Sequence, residues 1–247
     1  MKEIPSIDRP KDPELEAKLK ATELTEEERR AIEDLEEPLR NILRSLGHEL
    51  SIGTYDLMIG DDAAGRISAY MVWNAAKSLV PQHQGVALPL RFFAGSRNLS
   101  EHSGGGGDKK AAIKEYLIAQ FKAAPKKVLI VTDTLATGGG LTLLIKALKE
   151  IGSEVDIATF GIVALPDELE AYREKLERRL GARIICGRAG TPLIFRPIEY
   201  GGGKEANGVV KKSEALFAEV NDTPPLRVAA ARALAKDIAK RTADTLT

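Results

Sequence analysis

The stretch that most constrains this chain runs from Val128 to Leu141, Val-Leu-Ile-Val-Thr-Asp-Thr-Leu-Ala-Thr-Gly-Gly-Gly-Leu. It passes from a β-branched strand through a glycine turn into a helix pattern. Val128 to Val131 are apolar without a break. That fits a strand buried on both faces, as in a parallel sheet, because a half-solvated strand would alternate apolar with polar residues. Asp133 then falls at the strand's carboxyl end. Leu141, Leu144, Ile145 and Leu148 recur at helical spacing, so the backbone amides of Thr137 to Gly140 are expected at the open N-terminus of a helix. Unpaired N–H groups and the positive end of the helix dipole suit such a place to a phosphate. Up to this point a generic strand-to-helix connection reads the same way, since glycine turns follow strands in many nucleotide folds.

Strand and helix signals alternate on either side. Tyr55 to Gly60 reads as a first core strand and Ala69 to Leu79 as the helix after it, with the loop Asp61-Asp62-Ala63-Ala64-Gly65-Arg66 between them. Leu88 to Phe93 reads as a second strand, with Arg91 inside it and Arg97 just beyond. The segment from Ser96 to Lys110 contains Gly104 to Gly107 in an unbroken row. Each glycine loses much backbone entropy on ordering, so this segment is expected to be mobile, turning helical from Ala111 to Phe121. After the central run, Val155 to Leu165 fits the next parallel strand. Pro166 to Leu180 fits a charged helix with Leu169, Tyr172, Leu176 and Leu180 inward, and Ala182 to Cys186 a further strand. This order implies an α/β fold, a parallel sheet flanked by helices on both faces, with ligand at the carboxyl ends of the strands.

The two ends of the chain are helical in pattern. Residues 1 to 24 are charged and punctuated by proline, with room for one short helix from Pro13 to Lys20. Thr25 with Glu28 three residues on is a capping box, and Ile32, Leu35, Leu39, Ile42, Leu43 and Leu46 follow along one face. Pro38 within this pattern predicts a kink or a break into two helices. The stripe either covers the chain's own core or meets a partner helix. Beyond Pro224 and Pro225, Leu226, Ala230, Ala233, Leu234 and Ile238 form a narrow alanine-rich stripe suited to close packing, within the subunit or in a dimer. The expected organisation is a helical extension over 1–50, an α/β domain over 51–205 and a second helical extension over 206–247.

A chain of 247 residues holds one sizeable α/β domain with extensions. Lys plus Arg and Asp plus Glu are each 36, so no global field draws it to nucleic acid or to a membrane. Cys186 lies in an apolar strand-like run and has no second cysteine to pair with; a buried structural thiol is expected. His48, His83 and His102 show no metal-ligand spacing. The N-terminus lacks an apolar signal core, and no run approaches the roughly eighteen apolar residues of a membrane span, so a soluble, cytoplasmic protein is expected.

Taken together, the strand, Asp133, the Thr-Gly-Gly turn and the helix resemble the phosphoribosyl-pyrophosphate loop of the type I phosphoribosyltransferases. Asp133 matches the second of that family's two acids, and Ala136, Thr137, Gly138 and Gly139 match the turn that wraps the 5'-phosphate. Thr132 stands where the first acid is usual. The Asp61 to Arg66 loop resembles the Pro-Asp-Ser-Gly-Arg pyrophosphate loop of amidophosphoribosyltransferases, with one more residue between Asp62 and Gly65. The resemblance covers roughly residues 55 to 190. It implies a type I phosphoribosyltransferase-like sheet with a small hood, and displacement of pyrophosphate from C1 of phosphoribosyl pyrophosphate by a nitrogen acceptor. Mg²⁺ would sit on pyrophosphate and ribose oxygens.

Carried onto this chain, the resemblance assigns residues as follows. Asp133 would hold a ribose hydroxyl and stabilise the positive ring, sharing the metal with Asp62. Thr132 and the turn from Ala136 to Gly140 would bind the ribose phosphate, and Ala64, Gly65 and Arg66 the pyrophosphate. The glycine-rich segment would close as a lid, with Arg97, Lys109 and Lys110 bringing positive charge to the leaving group. Asp61 and Asp62 read equally as helix caps, and the lysines as incidental members of a solvated linker. The hood would fall over Gly187 to Gly203, with Arg188 and Arg196, where Phe195 or Tyr200 either stacks on a base or fills an irregular flap.

A homodimer is also implied. The leading functional reading is a phosphoribosyltransferase acting on a nucleobase or related nitrogen acceptor. The alternative, motivated by Thr132, is a non-catalytic phosphoribosyl-pyrophosphate or nucleotide-binding regulatory module. A third is a degenerate structural domain whose terminal helices mediate assembly. No motif identifies the acceptor.

Overall fold

The apolar runs assemble into a six-stranded sheet. A computed structural model describes residues 24–80, 88–93, 106–121, 123–190, 217–218 and 226–246. In chain order the elements are α1 (Glu26–Glu33), α2 (Glu36–Ser51), β1 (Leu57–Asp61), α3 (Asp62–Leu79), β2 (Leu90–Phe93) and α4 (Gly106–Phe121). There follow β3 (Lys127–Leu135), α5 (Gly139–Glu150), β4 (Glu154–Ile162), α6 (Leu169–Leu180), β5 (Arg183–Cys186), β6 (Phe217–Ala218) and α7 (Leu226–Asp244). The spatial order is β5-β4-β3-β1-β2-β6, with β1 to β5 parallel and β6 antiparallel on β2.

The period of two along each strand divides the core between the two faces of the sheet. Met58, Leu129, Val131, Ala158 and Phe160 are buried together with side chains of α1, α2, α3 and α7. Leu57, Ile59, Val128, Ile130 and Ile157 are buried together with those of α4, α5 and α6. This is the doubly covered α/β arrangement expected from the apolar runs. Gly60 lets α3 close onto β1, because a Cβ there would stand 2.7 Å from both the Ala69 Cβ and Phe92 Cδ1.

The N-terminal stripe behaves as its capping box predicts. Thr25 N–H donates to Glu28 Oε2 at 2.8 Å, and Glu28 N–H donates to Thr25 Oγ1 at 3.2 Å. The break into two helices falls at Asp34 and Leu35, ahead of Pro38, which sits in the first turn of α2 where its missing N–H costs nothing. Ile32, Leu35, Leu39, Ile42 and Leu46 cover the chain's own core. On α7 the buried residues are Ala231, Ala235, Ile238 and Ala239, while Ala233 is exposed, so the buried stripe is rotated from the expected one. Alanines stand so densely in this helix that its sequence does not single out one face.

Two boundaries also differ from expectation. No loop separates β1 from α3: the helix begins at Asp62, so the residues up to Arg66 form its first turns. α4 begins at Gly106, ahead of Ala111, and takes Lys109 and Lys110 into a helix. The short helix expected over Pro13 to Lys20 lies outside the described residues, as do most of the glycine-rich segment and the hood.

At the amino ends of the strands a polar knot ties four elements together. Asp156 Oδ2 on β4 accepts from Tyr55 Oη at 2.8 Å and from Arg183 on β5 at 3.0 Å, and it lies 3.4 Å from Lys127 Nζ on β3. Arg183 also reaches Glu49 of α2 at 3.1 Å. Burial, then the bond to Asp156 and its charge, push the Tyr55 phenol well above its ordinary range, so it stays a donor. At the outer edge, Ile184 N–H donates to Glu177 Oε1 at 2.7 Å, and Arg173 donates to Ile184 O at 3.2 Å. These α6 side chains occupy backbone groups that a further strand would otherwise pair. Cys186, partly buried, donates its thiol to Arg188 O at 3.0 Å, and burial pushes it up to about 11.

Replacing Asp156 by alanine removes the shared acceptor and leaves the buried Tyr55 hydroxyl without it and the charges of Arg183 and Lys127 without their common counter-ion. Urea denaturation should show a loss of about 3 kcal/mol. At pH 8 the Cys186 thiol should react with a thiol reagent roughly a hundred-fold more slowly in the native chain than in the denatured one, because the thiolate is the reacting form. Equal rates would contradict its burial.

Candidate functional site

In a sheet of this order the chain leaves β1 toward β2 on one side and continues from β3 outward on the other. The crevice at the carboxyl ends of β1 and β3 is therefore the topological switch point, where open α/β sheets bind their ligands. The pairing of Gly60 with Val131 brings Asp61, the last residue of β1, beside Thr132 on the same face of the sheet. Thr132 is 1% exposed, and its Oγ1 lies 3.2 Å from Asp61 Oδ2 and 3.2 Å from Asp133 Oδ1. A hydroxyl has one proton to donate, so it serves one carboxylate at a time and the two acids stand on either side of it. Thr134 Oγ1, two residues along, is buried without a hydrogen-bond partner, an acceptor and donor left for a polar ligand or water.

The turn that follows is exposed at Ala136 and Thr137. Gly138 caps α5 at φ +70°, a left-handed conformation, and a Cβ on it would stand 2.8 Å from Leu180 Cδ1; both facts require glycine here. Tyr172 Oη donates to Ala136 O at 2.9 Å and Thr142 Oγ1 donates to Gly138 O at 3.2 Å, fixing the turn from α6 and from α5 itself. Gly139 N–H makes a long bond, 3.4 Å, to Thr137 Oγ1. Gly138, the cap residue of α5, has no side chain to offer the first-turn amides, and the helix dipole places partial positive charge at this end. The N-terminus of α3 follows β1 directly, and its cap residue Asp61 likewise makes no side-chain cap bond. Because β1 and β3 are neighbours while α3 and α5 cover opposite faces of the sheet, the two helix N-termini flank the acids. That arrangement suits a ligand with two anionic groups.

The remaining expected site residues among those described lie on α3 and α4. The Arg66 guanidinium lies 5.3 Å from the centroid of the Phe92 ring on β2. Lys110 Nζ is 2.6 Å from Glu150 Oε1, with Lys114 at 3.0 Å from the other oxygen. Glu150 is the last residue of α5, so the 12 residues of that helix separate Lys110 from the glycine turn by roughly 18 Å. The hydrogen bonds from Lys110 and Lys114 hold the Glu150 carboxyl below its ordinary range. The early start of α4 explains the displacement, since it puts the lysine on a helix surface instead of a lid. Lys109 lies in the same first turn. Asp62, Ala64 and Gly65 lie in the first turn of α3. Arg188 donates to Asp34 Oδ2 at 2.6 Å. Arg97, Phe195, Arg196 and Tyr200 lie outside the described residues. Among the described residues no group of three His, Cys, Asp or Glu side chains forms a metal cage.

Two contacts escaped the sequence: the approach of Asp61 to Thr132 and the bond from Tyr172 to the turn. Both depend on strand register and on helix docking, which the linear pattern does not encode.

No family model matches the chain. Over 107 residues it is 34% identical to an adenine phosphoribosyltransferase of Thermotoga neapolitana, covering 43% of this chain and 58% of the relative. Over 102 residues it is 33% identical to the adenine phosphoribosyltransferase of Thermotoga maritima, covering 41% of this chain and 54% of the relative. The chain thus spans a little over half the length of these curated relatives. Among solved structures, an APRTase from Giardia lamblia complexed with 9-deazaadenine aligns with TM-score 0.35 at 18% identity, covering 62% of this chain and 79% of that one. The adenine phosphoribosyltransferase of Rhodothermus marinus aligns with TM-score 0.38 at 14% identity, covering 62% and 77%. At such scores the description of the fold rests on the strand order itself. The sequence matches support a relationship to the type I phosphoribosyltransferases, the class that the loop residues resemble. Within that class, the curated relatives carry the name adenine phosphoribosyltransferase.

Gly138→Ala should lower stability by roughly 1–3 kcal/mol, through positive φ and overlap with Leu180. Gly139→Ala, whose Cβ would meet nothing closer than Thr137 Oγ1 at 3.5 Å, should stay within about 0.5 kcal/mol of the parent. Thermal melts of the two variants compare them directly; equal losses would contradict the geometry of the turn.

Proposed function

We propose that this chain is a phosphoribosyltransferase that uses phosphoribosyl pyrophosphate and Mg²⁺, acts on a nucleobase, and works as a cytoplasmic homodimer. The observation that carries the reading is the pair of open helix N-termini flanking two carboxylates at the switch point. The names of the sequence relatives make adenine the first acceptor to try.

On this reading the first-turn amides of α5, with Thr137 and the turn from Ala136 to Gly140, hold the 5'-phosphate. The first-turn amides of α3, from Asp62 to Gly65, face the pyrophosphate, whose partners would also include Arg66. Asp133 accepts a ribose hydroxyl, and its negative charge favours the positive charge that develops on the ring as the bond from C1 to pyrophosphate breaks. The acceptor nitrogen forms the new bond to C1 as the bond to pyrophosphate breaks, and its proton passes to the departing pyrophosphate or to water. The residues present fit Mg²⁺, a hard cation that takes oxygen ligands and shares its shell with water and substrate phosphates; Asp61 and Asp133 offer carboxylate oxygens there. When bound, the ion would neutralise charge on the leaving pyrophosphate. Positioning and charge supply most of the barrier lowering, with no covalent intermediate on the protein.

A second reading is favoured by one observation: Thr132, in the place of the family's usual first acid, is buried and engaged with both neighbouring carboxylates. It is a module that binds phosphoribosyl pyrophosphate without transferring it.

With adenine supplied first and other bases after it, pyrophosphate release should be measurable. Asp133→Asn and Thr137→Ala should each reduce it by at least roughly a hundred-fold. Undiminished release in either variant overturns the site assignment. Tight binding of phosphoribosyl pyrophosphate with no base consumed selects the binding module.

A further inference from the structure

We infer that Asp61, at the end of β1, supplies the second ribose-holding carboxylate of the site, taking from the neighbouring strand the part that Thr132 cannot play. This rests on the proposed binding of a phosphorylated ribose at the switch point. A vicinal diol presents two O–H donors, and an ionised carboxylate only accepts, so two carboxylates set side by side match the two hydroxyls of a ribose. Thr132 can itself accept through its hydroxyl, but it carries no charge to set against a positive ring.

Three observations assign the part to Asp61. The register of β1 against β3 makes it the immediate neighbour of Thr132 on one face, at 3.2 Å from its hydroxyl, with Asp133 at the same distance on the other side. The two carboxylates therefore stand as a pair bridged by one hydroxyl. Next, Asp61 occupies the N-cap of α3, a position where aspartate ordinarily accepts from the helix's first amides, yet it makes no such bond. Its carboxylate is turned across the strands, toward Thr132. Finally, the carboxylate lies where α3 begins, beside the first-turn amides that would face an anionic group of the ligand. Thr134 Oγ1, buried without a partner on the face shared by Thr132 and Asp61, marks the same crevice as a place for a polar ligand.

If Asp61 served only to tie β1 to β3 through Thr132, moving the charge would not restore function. The test therefore relocates it. Calorimetric titration with phosphoribosyl pyrophosphate and Mg²⁺ is made on the full chain, on Asp61→Asn, on Thr132→Asp and on the double variant, with circular dichroism to establish folding. Asp61→Asn should bind roughly ten- to a hundred-fold more weakly, as for loss of a hydrogen bond to a charged group. The double variant, with a carboxylate returned within reach of the same crevice, should recover to within about three-fold of the parent, within the scatter expected of coupled neighbouring sites.

Where Asp61→Asn does not fold, Asp61→Ser, alone and with Thr132→Asp, is read in the same way. Parent-like binding by Asp61→Asn, or no recovery in a folded double variant, overturns the assignment. If the parent binds and Asp133→Asn loses binding while Asp61→Asn does not, only the assignment of Asp61 falls. If the parent does not bind, the reading of the whole site falls with it.

Discussion

The parallel pairing of β1 with β3 is the contact on which the rest of the molecule depends. Between these strands the chain inserts α3, β2 and α4, so the two come together only when a long crossover has closed, and nothing local holds them. Their pairing reverses the direction in which the sheet grows. It also sets two strand-to-helix junctions next to each other at one end of the sheet. Each junction brings an acid and a helix N-terminus; together they make a crevice with charges of both signs, which neither would form alone.

The other end of the sheet is built for stability. Asp156 gathers Tyr55, Arg183 and Lys127 from three segments onto one carboxylate oxygen, and Arg183 extends the knot to α2. These bonds fix the amino ends of β3, β4 and β5 in relation to α2, while the buried side chains of both faces hold the middle of the strands. The carboxyl ends can then carry a glycine turn, an orphaned threonine hydroxyl and two adjacent acids, features that would weaken a core. The division follows from geometry, since helix N-termini after parallel strands all open on the carboxyl side.

Much of this was legible in the linear pattern. The unbroken apolar run from Val128 to Val131 identified a doubly buried strand, and Thr25 with Glu28 identified the start of α1. The glycine turn after Asp133 identified a helix N-terminus, which the structure opens at Gly138. What escaped depended on distances between segments or on ambiguous composition. Alanines in α7 left its buried face undecided. The glycines before Lys109 read as a lid, whereas α4 begins among them and leads Lys110 to Glu150. The loop expected over Asp61 to Arg66 is helix from Asp62, and that shift by one residue sets Asp61 apart from Asp62: one ends a strand and faces Thr132, the other begins a helix. Strand register decided this, and a single sequence does not state register.

The central claim is that the crevice between the ends of β1 and β3 takes a ribose phosphate. The most direct measurement is a titration of ¹⁵N-labelled protein with ribose 5-phosphate, followed through its amide resonances. The account predicts shifts concentrated at Thr137 to Gly140 and at Asp61 to Thr132 across the paired strands. Shifts clustered instead around Arg183 and Lys149 at the amino ends of the sheet, or none at millimolar ligand, would contradict it.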